Sequence, residues 1–209
     1  MLTLRDIAEN PLSLTRRLTL GDGSEAVFRP LAHTDVGRLA GFLQAQSAGS
    51  RRFSTFDGYG LATARELCGA IARHDKLRLV LEDVASGRIV GLLEFSLDTV
   101  PSDVARYREA GILLTGADCR FGATLADDHQ GRGVGTSVFP LAVNAARRLG
   151  KARIILWGGV RSDNHQGIRY YEKHGFRQVG SFREADGSRS LDMILDLRPG
   201  PRDRRRGAP

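Results

Sequence analysis

Three glycines fall within five positions, directly after a glutamine, in the segment 126–137, which reads ADDHQGRGVGTS. The residues that follow, VFPLAVNAARRLG, predict an amphipathic helix, so the glycines lie at a helix start. The first N–H groups of a helix have no intrahelical partner, and glycine lets the backbone approach an anion without a Cβ in the way. The segment therefore predicts a cradle for a phosphate group, with a ligand-free turn or a close packing contact as alternatives.

The spacing of these glycines excludes two common nucleotide loops. A P-loop requires a lysine after its last glycine, whereas Thr136 follows Gly135. A dinucleotide fingerprint requires G-x-G-x-x-G and an acidic residue at the end of the next strand, and neither is present. The sequence therefore does not favour ATP, GTP or NAD as the ligand.

Periodicity and turn residues predict the strands and helices that position this loop. The predicted order is β β α α β β, an insertion at 98–118 that holds a short helix or a further strand, and then β α β α β β. Thr34 is predicted as a helix N-cap, and ARIILWGGV, residues 152–160, as one buried strand. This order indicates a mixed α/β, α+β-like single domain rather than a doubly wound sheet. Residues 1–23 are assigned to an N-terminal extension and first strand, 24–197 to the domain, and 198–209 to a basic tail that is predicted to be disordered.

Two segments carry a resemblance to a known family. Gln130-x-x-Gly133-x-Gly135 resembles the Q/R-x-x-G-x-G/A acyl-CoA loop of the GNAT superfamily of N-acetyltransferases. NHQGIRYYEKHGF, starting at Asn164, resembles the N-x-x-A-x-x-x-Y-x-K-x-G-F segment of that family, with Gly167 in the alanine place. The resemblance spans about residues 24–197, and FRPLAHTD and SRRFSTF are weakly similar to bacterial members that acetylate proteins. It implies a central mixed, largely antiparallel sheet whose two splayed parallel strands are flanked by helices.

The resemblance also implies a cosubstrate, acetyl-CoA, and a place for it. Its pantetheine would pair with the strand end before the loop, and its pyrophosphate would lie on the loop amides, with Arg132 adding a charge-assisted contact. The residues assigned to acetyl-CoA in this way are Leu125, Ala126, Asp127, Gln130, Gly131, Arg132, Gly133, Val134, Gly135, Thr136 and Asn164. Plain N-capping is the alternative for Asn164. No metal is expected.

The catalytic residues are predicted less completely than the binding loop. The resemblance assigns Tyr171 as the general acid that protonates the departing thiolate, with core packing as the alternative. Many family members place a glutamate on the strand before the loop, and DCRFGATLADD contains none. Glu94 and Asp118 are the candidate replacements for the general base.

The segment SRRFSTFDGYG is expected to border the acceptor site. Its arginines, Arg51 and Arg52, would suit an acidic substrate, or they belong to a solvated helix end. The acceptor is an amine-bearing small molecule or protein, and a homodimer is left open.

Charge and composition limit which partners and which location the sequence predicts. The formal net charge is +7, and the tail alone, with five arginines and one aspartate, carries +4 of it, so a nucleic acid is expected to bind only weakly, through the tail. The sequence shows no membrane span or secretory signal, and Cys68 and Cys119 read as reduced thiols, so a cytoplasmic location is expected. The alternative to an enzyme is a catalytically weak acyl-CoA-binding or nucleic-acid-associated regulatory module on the same fold.

Overall fold

The computed structural model describes residues 1–198, so the predicted tail, apart from Arg198, lies outside the described residues. Among residues 1–198, the strands are β1 (Arg16–Thr19), β2 (Glu25–Pro30), β3 (Lys76–Asp83), β4 (Ile89–Ser96), β5 (Asp118–Leu125), β6 (Arg153–Leu156), β7 (Val160–Arg161), β8 (Arg177–Arg183) and β9 (Arg189–Asp196). The α-helices of the same part are α1 (Leu4–Glu9), α2 (Val36–Gln44), α3 (Ala48–Arg51), α4 (Leu61–Gly69), α5 (Pro101–Glu109), α6 (Val134–Arg148) and α7 (His165–Lys173).

All strands belong to one sheet. Strands β1 to β5 pair with their chain neighbours in antiparallel fashion, β5 and β6 are parallel, and β6 is antiparallel to β9. Strand β9 also pairs with β7 and with β8, both antiparallel. The predicted mixed, largely antiparallel sheet flanked by helices is thereby confirmed.

The two parallel strands separate at their carboxyl ends. Their ladder ends at the pair Phe121 and Leu156, after which β5 continues to Leu125 with no partner on that side among the described residues. The predicted single strand 152–160 is in fact two strands, β6 and β7, because the chain turns between them at Gly158 and Gly159, where φ is +71° and +70°. A Cβ on Gly159 would lie 2.7 Å from a backbone oxygen of β9, so only glycine fits this turn.

Helices cover both faces of the sheet. On one face, the ring of Phe121 lies 4.9 Å from that of Phe95 and 6.1 Å from that of Phe139 on α6. On the opposite face, α5 packs through the buried Tyr107, whose hydroxyl donates a hydrogen bond to the Met193 carbonyl over 2.8 Å. The insertion at 98–118 therefore forms a helix that packs against the sheet, and it does not line the cavity described below.

Two helix starts differ from the expectation. Helix α1 was not predicted, although Thr3 and Asp6 form a reciprocal capping box at its start. The prediction of Thr34 as an N-cap is wrong, because α2 begins one residue later, after Asp35. The buried carboxylate of Asp35 is instead held by Arg29, over 2.7 Å, and by Arg38. None of the helices between residues 1 and 198 has the length and apolar character needed to cross a bilayer.

Candidate active site

A cavity of about 1330 Å³ opens where β5 and β6 separate. Its walls are formed by α3 and residues 52–56, the ends of β4 and β5, the glycine loop and first turn of α6, the β6–β7 turn, the start of α7, and the β8–β9 turn. The cavity therefore lies at the place where the sequence predicted a phosphate cradle.

The glycine loop presents unpaired backbone donors to this cavity. Gly131 and Gly133 have φ of +72° and +79°, and Gly133 is the N-cap of α6. Val134, Gly135 and Thr136 form the first turn of α6, so their N–H groups have no intrahelical partner. All three residues also line the cavity. The helix dipole adds a partial positive charge at the same point. These residues fit the pyrophosphate of an acyl-CoA.

The third glycine also serves a packing contact. A Cβ on Gly135 would lie 2.8 Å from the ring of Tyr170, whose hydroxyl donates to the Gly135 carbonyl over 3.2 Å. Gly135 thus allows α7 to approach α6 closely. Close packing, one of the three alternatives read from the sequence, applies at this position.

The free edge of β5 supplies further backbone donors. The Trp157 N–H donates to the Phe121 carbonyl over 2.8 Å, so the backbone of Phe121 faces β6. Because backbone direction alternates along a strand, Ala123 and Leu125 also face the gap. The Ala126 N–H donates to a β4 carbonyl over 2.9 Å and the residue does not line the cavity, which argues against its predicted contact with acetyl-CoA. Ala123, which sequence reasoning missed, faces the gap and lines the cavity.

Asp127 and Gln130 line the cavity, but their side chains are bound to protein groups. The Asp127 carboxylate accepts hydrogen bonds from the Ser47 N–H, over 2.7 Å, and from the Ser50 hydroxyl. Gln130 Nε2 lies 3.0 Å from Ser50 Oγ and 3.1 Å from the Leu125 carbonyl oxygen. These contacts argue against the predicted side-chain contacts of Asp127 and Gln130 with acetyl-CoA, and the Gln130 N–H also donates to the Asp127 carbonyl over 3.3 Å.

Arg132 does not line the cavity. Its guanidinium forms an ion pair with Asp22 over 2.7 Å and donates to the Asp128 carbonyl over 2.9 Å. The left-handed glycines on either side turn its side chain towards the β1–β2 connection. This geometry argues against the predicted phosphate contact of Arg132.

Tyr171 lies on α7 and lines the cavity. Its ring packs edge-on against Phe176, with centroids 5.2 Å apart, and its hydroxyl has no hydrogen-bond partner among residues 1–198. Burial raises the pKa of Tyr171 to about 12, because the phenolate would lose its hydration. The phenol is therefore protonated at neutral pH and is available as a donor.

Asn164 is the N-cap of α7, which agrees with the alternative role predicted for it from the sequence. Its Oδ1 accepts the Gly167 N–H over 2.9 Å, and the residue also lines the cavity. A Cβ on Gly167 would lie 2.7 Å from Asn164 Nδ2, so an alanine here would require the Asn164 side chain to move.

The two candidate bases have different surroundings. Glu94 on β4 lines the cavity, and its Oε1 accepts a hydrogen bond from Arg78 Nε over 2.8 Å. Burial raises the pKa of Glu94, although the Arg78 charge acts in the opposite direction. Asp118 is fully buried, pairs with Arg153 over 2.6 Å, and does not line the cavity. This structural ion pair argues against Asp118 as the base.

The segment after α3 borders the cavity. Phe53 and Phe56 line it, and Arg52, also in its wall, forms an ion pair with Asp163. Arg51 does not line the cavity, since its guanidinium donates to the Gln44 carbonyl over 2.8 Å. The two arginines are therefore engaged with protein groups, which weakens the expectation of an acidic substrate.

The cysteines and possible metal ligands lie apart from this chemistry. Cys68 and Cys119 are buried free thiols outside the cavity, and burial raises the pKa of Cys68 to about 11 and of Cys119 to about 12. Within residues 1–198, no group of three His, Cys, Asp or Glu side chains is placed to hold a metal ion.

Comparisons with known proteins agree with this geometry. The model for the Acetyltransferase (GNAT) family matches residues 50–176, more than half of the chain. A search of curated proteins found no match.

Solved structures share the fold. The GNAT domain of S. lividans PAT is 22% identical, with a TM-score of 0.67 over 89% of this chain and 98% of that chain. RimJ of Mycobacterium smegmatis, in complex with CoA-disulfide, is 17% identical, with a TM-score of 0.67 over 87% of this chain and 86% of that chain. AAC(6')-Ib, in complex with ribostamycin and coenzyme A, is 17% identical, with a TM-score of 0.64 over 88% and 98%. With the family match, the splayed strands and the glycine loop, the chain belongs to the GNAT acetyltransferase family and is an acetyl-CoA-dependent acyltransferase.

Proposed function

We propose that the protein is an N-acetyltransferase that moves the acetyl group of acetyl-CoA to a primary amine by direct attack in a ternary complex. The observation that carries the proposal is the convergence on one cavity of the free β5 edge, the first turn of α6, Tyr171 and Glu94. An acyl-enzyme on cysteine is disfavoured, because Cys68 and Cys119 are buried elsewhere and their pKa values are raised.

The backbone binds and polarises the cosubstrate, which supplies an activated thioester. The N–H groups of Val134, Gly135 and Thr136 hold the pyrophosphate, and those of Ala123 and Leu125 face the gap where pantetheine lies. One gap-facing N–H donates to the carbonyl oxygen of the acetyl group. A preorganised donor of this kind contributes about 3 kcal/mol to the barrier reduction.

Tyr171 acts on the departing sulfur. Its pKa of about 12 lies above that of an ordinary thiol, about 8.5, so complete proton transfer from the phenol is uphill in the free site. Donation of a hydrogen bond to the developing thiolate is the part of the role that this environment favours. The unpartnered hydroxyl is consistent with that role.

Glu94 acts on the amine. The attacking nitrogen must lose a proton, and Glu94 is a cavity-lining carboxylate whose pKa is raised, which makes it a better base than an exposed glutamate. The ion pair with Arg78 fixes its orientation through Oε1 and leaves Oε2 for the proton, directly or through one water.

The acceptor is a primary amine of a small molecule or a protein. Solved structures of similar fold include a spermidine N-acetyltransferase, a ribosomal-protein-S5-alanine acetyltransferase and an aminoglycoside acetyltransferase. Phe53 and Phe56 form an aromatic wall of the cavity, and Asp163 neutralises the charge of Arg52. These features favour an amine carried on an apolar or cationic chain over an amine carried on an anionic chain.

An amine panel tests the proposal. The full chain is incubated with acetyl-CoA and one acceptor at a time: spermidine, an aminoglycoside, a lysine-containing peptide, or a peptide with a free N-terminus. Thiol release is followed with a chromogenic reagent, and the product is identified by the mass of one added acetyl group. Thiol release that depends on one acceptor class supports the proposal. Tight binding of coenzyme A with no transfer to any amine would favour the regulatory acyl-CoA-binding module instead.

A further inference from the structure

The side chain of Asp127 joins the acyl-CoA loop to helix α3. It belongs to the loop between β5 and α6, yet its carboxylate accepts the Ser47 N–H over 2.7 Å and the Ser50 hydroxyl, about eighty positions earlier in the chain. Asp128, its neighbour, faces the other way and contacts Arg88 and His129. Of these two adjacent aspartates, Asp127 is therefore the one that contacts α3.

Gln130 belongs to the same hydrogen-bond network. Its Nε2 donates to Ser50 Oγ over 3.0 Å and to the Leu125 carbonyl over 3.1 Å. The Leu125 backbone faces the gap between β5 and β6. Three hydrogen-bonded side chains thus join the acyl-CoA loop, the free strand edge and α3.

This network joins helix α3 to the acyl-CoA loop. The helix has only four residues, none of them buried, and a helix of this length is not stable on its own. Ser47, its N-cap, is held through its backbone by Asp127, and residues 52–56, which line the acceptor end of the cavity, follow α3 directly. The segment is also held from Arg51 to the Gln44 carbonyl, from Arg52 to Asp163 and by the Tyr59 hydroxyl, which donates to the Arg51 carbonyl over 3.0 Å, and these three contacts do not reach the acyl-CoA loop.

We propose that Asp127, through the Ser47 N–H and the Ser50 hydroxyl, is a positioning residue that couples occupancy of the acyl-CoA loop to the ordering of the acceptor segment, residues 47–56. This inference rests on the proposed function, in which the cosubstrate lies on the loop and the amine lies against the segment. When the loop is fixed by its ligand, Asp127 fixes α3, and the acceptor wall forms. By linkage, an acceptor that orders the segment strengthens binding at the loop by the same factor.

Hydrogen exchange of the full chain with and without coenzyme A tests the coupling. In the wild-type protein, coenzyme A should slow exchange in residues 130–137 and also in residues 47–56, the latter by about fivefold or more, the lower end of typical allosteric couplings. Asp127→Ala should keep the first effect and lose the second, and Ser50→Ala, which retains the Ser47 N–H contact, should keep the first effect and reduce the second. Asp128→Ala, a matched carboxylate that does not contact α3, should behave as wild type.

The outcomes separate this inference from the function it rests on. No protection of residues 130–137 in the wild-type protein would mean that the loop does not bind coenzyme A, and the proposed function would fail with it. Protection of 130–137 without protection of 47–56, or equal protection of 47–56 in wild type, Asp127→Ala and Ser50→Ala, would overturn the coupling alone. With an acceptor from the amine panel, Asp127→Ala should raise KM for the amine about fivefold or more and, by the same linkage, weaken acetyl-CoA binding at saturating amine, while the Kd of coenzyme A alone and kcat stay near wild type.

Discussion

Replacing Glu94 by glutamine removes the proposed base while keeping its shape. The glutamine oxygen can still accept the 2.8 Å hydrogen bond from Arg78, but the side chain cannot take a proton. A positioned general base contributes about 10²–10⁴-fold to the rate. Glu94→Gln should therefore lower kcat/KM for the amine by that factor, which corresponds to about 2.7–5.4 kcal/mol of barrier.

The pH dependence of kcat/KM is an independent test of Glu94 as the general base. The base must be deprotonated, so activity is present above the pKa of Glu94 and is lost as the pH falls through it. Because burial raises this pKa, the acid limb of kcat/KM should lie above the ordinary carboxyl range, and Glu94→Gln should abolish that limb.

Glu94→Ala serves as the structural comparison. It leaves the buried Arg78 guanidinium without its counter-charge, and removing one partner of a buried ion pair costs about 3–5 kcal/mol. Thermal unfolding should therefore show a large loss of stability for alanine and a smaller one for glutamine, while both variants lose activity. Initial rates of thiol release across pH measure the effect, and a glutamine variant with wild-type kcat/KM and an unchanged acid limb would refute the assignment of Glu94.

Three further variants test the other assignments. Tyr171→Phe should lower kcat by about 10²–10³-fold with unchanged acetyl-CoA affinity by calorimetry, because the developing thiolate loses its hydrogen-bond donor, and unchanged turnover would remove Tyr171 from that role. In the wild-type protein, the pKa of about 12 means that loss of this proton should not lower the rate up to about pH 10. Gly133→Asp should abolish coenzyme A binding, because it places a negative charge and a strained left-handed residue in the cradle, whereas Gly87→Asp, at a φ of +67° in the β3–β4 turn, should bind normally in the same titration. Asp118→Ala should cost about 3–5 kcal/mol in urea unfolding through loss of its partner Arg153, and a lowered kcat in a fully folded sample would restore Asp118 as a candidate base.

The features that sequence could supply are those encoded locally. The order of strands and helices follows from periodicity and turn residues, and the glycine loop follows from helix-start physics and from the spacing of Gln130, Gly133 and Gly135. Helix α1 carries a local signal as well, the capping box of Thr3 and Asp6, although its six residues are too few for a clear periodic pattern.

The features that sequence could not supply depend on register and on distant partners. Which β5 amides face the gap depends on the register of β5 with β4 and β6. In this register the Ala126 N–H faces β4, whereas the backbone of Ala123 faces the gap. Arg132 pairs with Asp22, and Asp118 pairs with Arg153, through contacts that no local pattern reveals. The turn at Gly158 and Gly159 looks like a continuous apolar strand in sequence, because the crowding that requires glycine comes from β9.

Thermal unfolding with acetyl-CoA, and with ATP and NAD as controls, tests the central claim most directly. A ligand that binds only the folded state adds about 2.7 kcal/mol at a hundred times its Kd. For a domain of this size, that corresponds to a rise in Tm of about 5–10 °C. The cavity beside the first turn of α6 predicts this rise with acetyl-CoA and none with ATP or NAD. No rise with acetyl-CoA in a folded sample, or an equal rise with ATP, would contradict the assignment of the glycine loop to acyl-CoA.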